Sequence, residues 1–339
     1  MAWIAFFPSL YGKAVPGLCF LSLSLISVKR RTSYPVMMEQ IDKAPNANPP
    51  DVSKKKSPGK RGRPQGSKNR HRRAVELSPA LRFVQETITR VLQLIGDHVK
   101  VIYFVYDGAF GNNDALQMVK QTGLHLISKL RHDSALYFPY DGPYSGRGKR
   151  RKYGKKLDYR HLPAEYVQAS SLEDGIQTQI YQMKVWHKTC ADLLNVVVIV
   201  KTNLTTQAMG HVVLFSSDLA LQYDRLIDYY HLRFQIEFNF RDAKQYWGLE
   251  DFMTVNQTPV YNSANLAMFM VNLSHALIRP IRTQWPECSV NDLKAWFRGR
   301  KYVVEILKLL PEMPEPIFID QAIAQVAALG RVNHAINSV

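Results

Sequence analysis

The spacing of apolar positions changes several times along the chain, and each change predicts an element. Phe20, Ser22, Leu23, Ser24 and Leu25 lie in a stretch of period two, as a strand with one buried face requires. Residues 1–40 read as one or two strands. From Leu81 the spacing becomes helical through Val84, Ile88, Val91, Leu92 and Ile95. Ser78 is the candidate N-cap, Pro79 takes the first helical position and Gly96 the stop. VKVIYFVYDG, residues 99–108, is almost unbroken in β-branched and aromatic residues. It predicts a central strand buried on both faces and ending at Asp107-Gly108. A short helix at 113–121 and the strand LHLISKL complete a strand–helix–strand unit.

Residues 136–192 lose this regularity. Gly-rich, basic and aromatic pieces alternate with short strand-like runs, which we read as an inserted β-rich subdomain. LNVVVIVKTNL and HVVLFSSD return as strands, with Ser216-Ser217-Asp218 as turn and N-cap. DYYHLRFQIEFNFRDAKQYWG, residues 228–248, predicts one continuous amphipathic helix, with Leu226, Phe234 and Phe238 toward the core. From about Asn262 the pattern is helical, with Leu266, Phe269, Met270, Leu273 and Leu277 along one face, and Met268 also in the core. The expected class is α/β: a mixed sheet flanked by helices, a β-rich insertion and a helical C-terminal region. The expected organisation is core at 1–43, linker at 44–74, core at 75–135, insertion at 136–192, core strands and helix at 193–255, and a helical region at 256–339.

Composition sharpens this picture. The 339 residues include 44 Lys and Arg against 28 Asp and Glu, a net charge of +16. That excess attracts polyanions and disfavours cationic partners. Much of it is concentrated in two runs. Residues 54–73 are rich in Lys and Arg and hold no acid, and the whole 44–74 stretch is Pro- and Gly-rich with few apolar residues. Such a stretch is expected to be disordered or to order only on binding. Within it, Arg61, Gly62, Arg63 and Pro64 resemble the core of an AT-hook, whose extended Arg-Gly-Arg enters a narrow A·T minor groove. The second run, GPYSGRGKRRKYGKKLDYR, carries Arg147, Lys149, Arg150, Arg151 and Lys152 among tyrosines. Basic groups interleaved with aromatics suit phosphate contact and base stacking. Trp186 reads as a core residue, with stacking on an unpaired base as the alternative.

Cys19, Cys190 and Cys288 show no ligand spacing, which points to a reducing compartment without a disulfide framework. His125, His187 and His211 do not cluster at ligand spacing either. The apolar N-terminus has its positive charges after the apolar run, which favours a strand over a signal peptide. No apolar run reaches the length of about 18 residues that a membrane span needs.

On a continuous helix at about 100° per residue, Tyr230, Arg233, Glu237 and Lys244 fall within about 60° of one another. The plain reading is an exposed stripe with an Arg233–Glu237 pair, worth a few tenths of a kcal/mol. Asp107 adds an acid at the carboxyl end of a strand, where open α/β sheets place their ligands. Carboxylates that hold divalent ions beside cations that hold phosphates would serve phosphodiester chemistry.

The spacing Y-x-x-R-x-x-x-E-x-x-x-x-x-x-K, spelled by these four residues, resembles the signature of the insertion-sequence-4 family of bacterial DDE transposases. YDGAFGNND resembles that family's segment around its second catalytic Asp. The resemblance implies a ribonuclease-H-like core and two Mg²⁺ or Mn²⁺ ions, with Asp107 and Glu237 as metal ligands. It implies that Tyr230, Arg233 and Lys244 position phosphates of double-stranded DNA, both the terminal inverted repeats and the target. A homodimer on DNA, no membrane, and a cytoplasmic, nucleoid-associated location in a bacterium go with it. One feature departs from the pattern. The family's first Asp is expected ahead of YGKAVPGLCFLSLSLISV, yet MAWIAFFPSL contains no acid and the first acidic residue is Glu39. The sequence therefore predicts a truncated or defective copy, and its rival is a DNA-binding remnant that does not cut.

Overall fold

The computed structural model describes residues 4–6, 15–41, 72–144, 146, 148–254 and 256–333. Most of the 44–74 linker, including Arg61, Gly62, Arg63 and Pro64, and also Arg147, lie outside the described residues. In chain order the first strands are β1 (Ile4–Phe6), β2 (Val15–Gly17), β3 (Phe20–Ser27) and β4 (Thr32–Gln40). Helix α1 (Pro79–Ile95) is followed by β5 (Tyr103–Val105), α2 (Asn113–Gln121), β6 (His125–Leu130) and β7 (Leu136–Pro139). Next come β8 (Tyr153–Lys156), β9 (Val167–Glu173), β10 (Ile176–His187), β11 (Leu193–Asn203) and β12 (Met209–Ser216). The helices α3 (Tyr223–Leu232), α4 (Gln235–Trp247), α5 (Gln257–Ile281), α6 (Val290–Leu307) and α7 (Pro316–Ala328) follow.

These elements form two compact units. The larger holds α1–α3 and an eight-stranded mixed sheet ordered β5-β6-β12-β11-β10-β7-β8, with β9 also paired to β10. Among the described residues of this sheet, only β5 and β6 run parallel and the other pairs are antiparallel. The sheet with its flanking helices is the architecture expected of a ribonuclease-H-like protein, and the C-terminal region is helical as expected. The strands of 136–192 join this same sheet, because β10 pairs along eleven residues of β11, from Ile176↔Asn203 to Trp186↔Leu193. The sheet core gathers Ile127, Val197, Leu214, Leu221 and Leu226, all buried. Their alternation along β11 and β12 brings apolar side chains to the face that α3 covers.

The smaller unit holds β1–β4 and α4–α7. Met38, Ala243, Ala264, Ala267, Met268 and Val271 form its core. Asn239 is buried there, and its amide donates to the Ser33 hydroxyl at 2.8 Å. A buried amide requires such a partner.

Four expectations are corrected. The run at 99–108 is not a central strand: β5 spans three half-buried residues at the sheet edge. Its aromatic side chains pack against other rings, with Tyr106 stacked on Phe110 at 3.9 Å and Tyr103 tilted against Tyr229 at 5.4 Å. The helix at 228–248 is two helices, with a turn at Arg233 and Phe234. Leu226 is fully buried, but Phe234 and Phe238 are exposed. The helix α3 starts at Tyr223 with Gln222 as N-cap and no side-chain cap bond; Ser217 instead accepts from the Leu126 amide and Asp218 accepts from Tyr103. In α5 the buried face runs through Val260, Ala264, Ala267, Val271 and Ile278, leaving Leu266 and Phe269 exposed. Periodicity alone could not choose between these faces, because apolar residues occur all round this helix.

Candidate active site

β5 ends at Val105, opposite Ile127 of the parallel β6, which continues to Leu130. Asp107 follows β5 as the N-cap of a single helical turn, and its Oδ1 accepts from the Ala109 amide at 2.9 Å. Two contacts press this loop onto β6. The hydroxyl of the fully buried Ser128 donates to the Asp107 carbonyl. Gly111 approaches so closely that a Cβ there would stand 2.6 Å from the Lys129 carbonyl oxygen. The φ of Gly111 is −72°, which any residue adopts, so the restriction is one of space. At the start of β5, the Tyr103 hydroxyl donates to Asp218 at 2.7 Å. Burial first, and then this hydrogen bond, push the Tyr103 phenol up to about 12.

Asp107 opens into a cavity of about 440 Å³ that Lys129, Arg131, His132, His211 and Tyr230 also line. His211 Nε2 lies 2.9 Å from the His132 carbonyl, which can only accept, so that nitrogen carries the proton. The His211 ring stacks on Tyr159 at 4.6 Å. The sequence marked neither His132, Lys129 nor Arg131, and it treated His211 as structural. The signal available was register: Val213 pairs with Leu130, which brings the start of β12 beside the end of β6.

Tyr230 and Arg233 lie together at the end of α3, with the guanidinium 5.6 Å from the Tyr230 ring centre. The Arg233 Nε–H is buried without a hydrogen-bond partner among the described residues. Glu237 and Lys244 belong to the other unit, both on α4. Seven residues apart, they share one face of that helix. Glu237 is exposed, and the Lys244 ammonium pairs with Glu250. The single polar stripe across all four residues is therefore corrected: the turn at Arg233–Phe234 ends the helical spacing on which it rested.

An oxygen-ligand metal fits Asp107. One carboxylate oxygen is held by the Ala109 amide and the group itself is exposed, so an oxygen remains for a hard cation. Among the described residues no group of three or more His, Cys, Asp or Glu gathers to hold a metal. Mg²⁺ needs fewer, since it retains waters and substrate oxygens.

Of the second basic run, Lys149, Arg150 and Lys152 line another cavity, together with Arg72 and Arg73. Arg151 turns away, donating to the Tyr153 carbonyl with its guanidinium 4.9 Å from the Tyr140 ring centre. Trp186 is half-buried and faces the Lys152 ammonium at 3.5 Å.

Residues 4–192 match the family described as DDE superfamily endonuclease. The chain belongs to that family. The matched segment is more than half of the chain; it includes Asp107 and ends ahead of Tyr230, Arg233, Glu237 and Lys244. Membership supplies a nuclease- or transposase-like function with DNA as substrate, and endonucleases of this superfamily generally use divalent metals. No curated protein matches the chain. No helix among the described residues is long and apolar enough to cross a membrane.

Two outcomes follow from the packing. Gly111→Ala must open a backbone contact and should lower unfolding free energy by about 1–3 kcal/mol. Gly108→Ala, whose Cβ would meet the Lys129 carbonyl at 3.6 Å, should be close to neutral in the same urea titration. The second outcome concerns Asp192. Burial alone would raise its carboxyl, but hydrogen bonds from Lys120, Gln117 and Arg73 outweigh burial and hold it at about 2 against an ordinary 3.8. The folded value is depressed, so its stabilisation is complete above the ordinary value and is lost as pH falls toward 2. Asp192→Asn should cost about 1–2 kcal/mol at neutral pH, allowing for the exposed Arg73 and Lys120. That difference should become small by about pH 2 and disappear as the pH falls below it.

Proposed function

We propose that this endonuclease-family chain is a transposase of the insertion-sequence-4 type, which cuts and joins phosphodiester bonds at element ends. The observation that carries the reading is Asp107, an exposed carboxylate fixed at the end of β5 in a cavity rimmed by Lys129, Arg131 and Tyr230. The Tyr-Arg-Glu-Lys spacing supports the narrower family. Asp107 and Glu237 would hold Mg²⁺ or Mn²⁺, which supplies Lewis-acid activation of the scissile phosphate. Tyr230 and Arg233 orient that phosphate, the guanidinium lying 5.6 Å from the Tyr230 ring centre at the end of α3. Lys244 reaches phosphate by exchanging its exposed partner Glu250, a pair that contributes little. Hydrolysis leaves a 3′-hydroxyl, which then attacks donor or target DNA. The basic 44–74 segment, with Arg61, Gly62, Arg63 and Pro64, follows the A·T minor groove, and the chain works as a homodimer on DNA in the bacterial cytoplasm.

A second reading is a DNA-binding remnant that does not cut. It rests on the net charge of +16, which attracts DNA whether or not the chain cuts it. Incubation with terminal-repeat DNA and Mg²⁺ or Mn²⁺ separates the two. The first reading expects divalent-dependent nicking, reduced at least about 100-fold by Asp107→Asn or Glu237→Gln, since either removes a ligand. Nicking that persists in both variants would refute the site assignment. Salt-sensitive binding with no nicking would establish the second reading.

A further inference from the structure

A cavity of about 600 Å³ in the larger unit is lined by Arg72, Arg73, Lys149, Arg150, Lys152 and Tyr153. Five cations share its wall. The acid beside them, Asp192, is already divided between Arg73 at 2.9 Å and Lys120 at 2.8 Å. Lys149 and Arg150 are exposed and form no ion pair among the described residues. Like charges held this close repel one another, and an anion in the cavity relieves that repulsion. Desolvation and then the neighbouring Arg72 lower the affinity of Lys152 for its proton, which reports the same crowding.

The cations are held in place. Arg72 donates to the Lys188 carbonyl at 2.9 Å and to the Tyr153 hydroxyl at 3.2 Å. Its own carbonyl accepts from the Asn113 amide at 2.9 Å, and Asn113 Oδ1 accepts from the Ala191 backbone amide at 3.0 Å. Lys152 donates to the Ala191 carbonyl at 3.1 Å over the Trp186 face. An ammonium has three donors, so two remain for a ligand, and the Tyr153 hydroxyl that accepts from Arg72 has a proton to give. Side chains fixed this way lose little freedom when an anion arrives.

Asn113 also ties the cavity to the loop of Asp107. Six residues separate them, a span of at most about 20 Å. One DNA strand advances about 3.4 Å per phosphate, so roughly six nucleotides cover that distance.

We propose that this cavity is a phosphodiester site, where Arg72, Lys149, Arg150 and Lys152 grip consecutive phosphates of the DNA whose strand passes the Asp107 loop. This rests on the reading of the chain as a DNA-processing protein. The shared chemistry is a row of phosphates, which a soluble oligophosphate also presents.

The test is fluorescence anisotropy of the full chain with a labelled duplex over a salt series, alongside calorimetric titration with tripolyphosphate. Two variants are compared: Lys149→Gln/Arg150→Gln, at exposed positions that folding does not need, and Arg72→Gln/Lys152→Gln. Each should make the slope of log affinity against log salt shallower by about two, and should weaken unrelated duplexes by the same factor. If the unsubstituted chain binds DNA with a steep slope and both variants keep it, the cavity assignment falls while the DNA reading stands. If the unsubstituted chain binds no DNA, both fall. If the variants abolish tripolyphosphate binding yet keep the DNA slope, the site belongs to a soluble oligophosphate and the proposal is overturned.

Discussion

The position of Asp107 depends on how closely one loop can lie against one strand. Where Gly111 passes β6, the space for a side chain is filled by the Lys129 carbonyl, and Ser128 holds the Asp107 carbonyl from beneath. The Gly111 contact is with backbone, so it cannot relax by a change of rotamer. The short β5 adds little pairing of its own, and Tyr103 is anchored by its bond to Asp218 and by its ring against Tyr229. The carboxylate thus stands at the mouth of a cavity without a long strand behind it.

Charge is arranged around this frame at two places. Lys129 and Arg131 rim the Asp107 cavity, where cations favour an incoming phosphate and the carboxylate favours a metal. Arg72, Arg73, Lys149, Arg150 and Lys152 form the second concentration. Asn113 connects the two, since it begins the helix that leaves the Asp107 loop and also pins the Arg72 backbone. The excess charge visible in composition is thereby given a location and fixed partners.

Local signals in the sequence were read well where one physical rule dominated. Ser78, Pro79 and Gly96 bound α1 as capping preference requires, and α2 spans the expected 113–121. The sheet strands at LHLISKL, LNVVVIVKTNL and HVVLFSSD are likewise present. What failed were inferences that needed distant neighbours. The apolar run at 99–108 has the composition of a central strand, but only pairing decides which strand is an edge. The stripe from Tyr230 to Lys244 assumed an unbroken helix, and nothing in DYYHLRFQIEF resembles a stop, since neither Gly nor Pro is present. Arg72 and Arg73 were legible only as the end of a basic linker. Their convergence with Lys152 depends on Asn113, Lys188 and Asp192, far away in sequence.

The central claim is that the Asp107 carboxylate holds a divalent ion. Loading the full chain with Fe²⁺ and initiating local hydroxyl-radical chemistry with ascorbate and peroxide cuts backbone next to a bound ion. Fragment mapping should place cuts on the 107–111 loop and on the adjoining end of β6, and Asp107→Asn should abolish them. Cuts that fall elsewhere, or a pattern that Asp107→Asn leaves intact, would contradict the account.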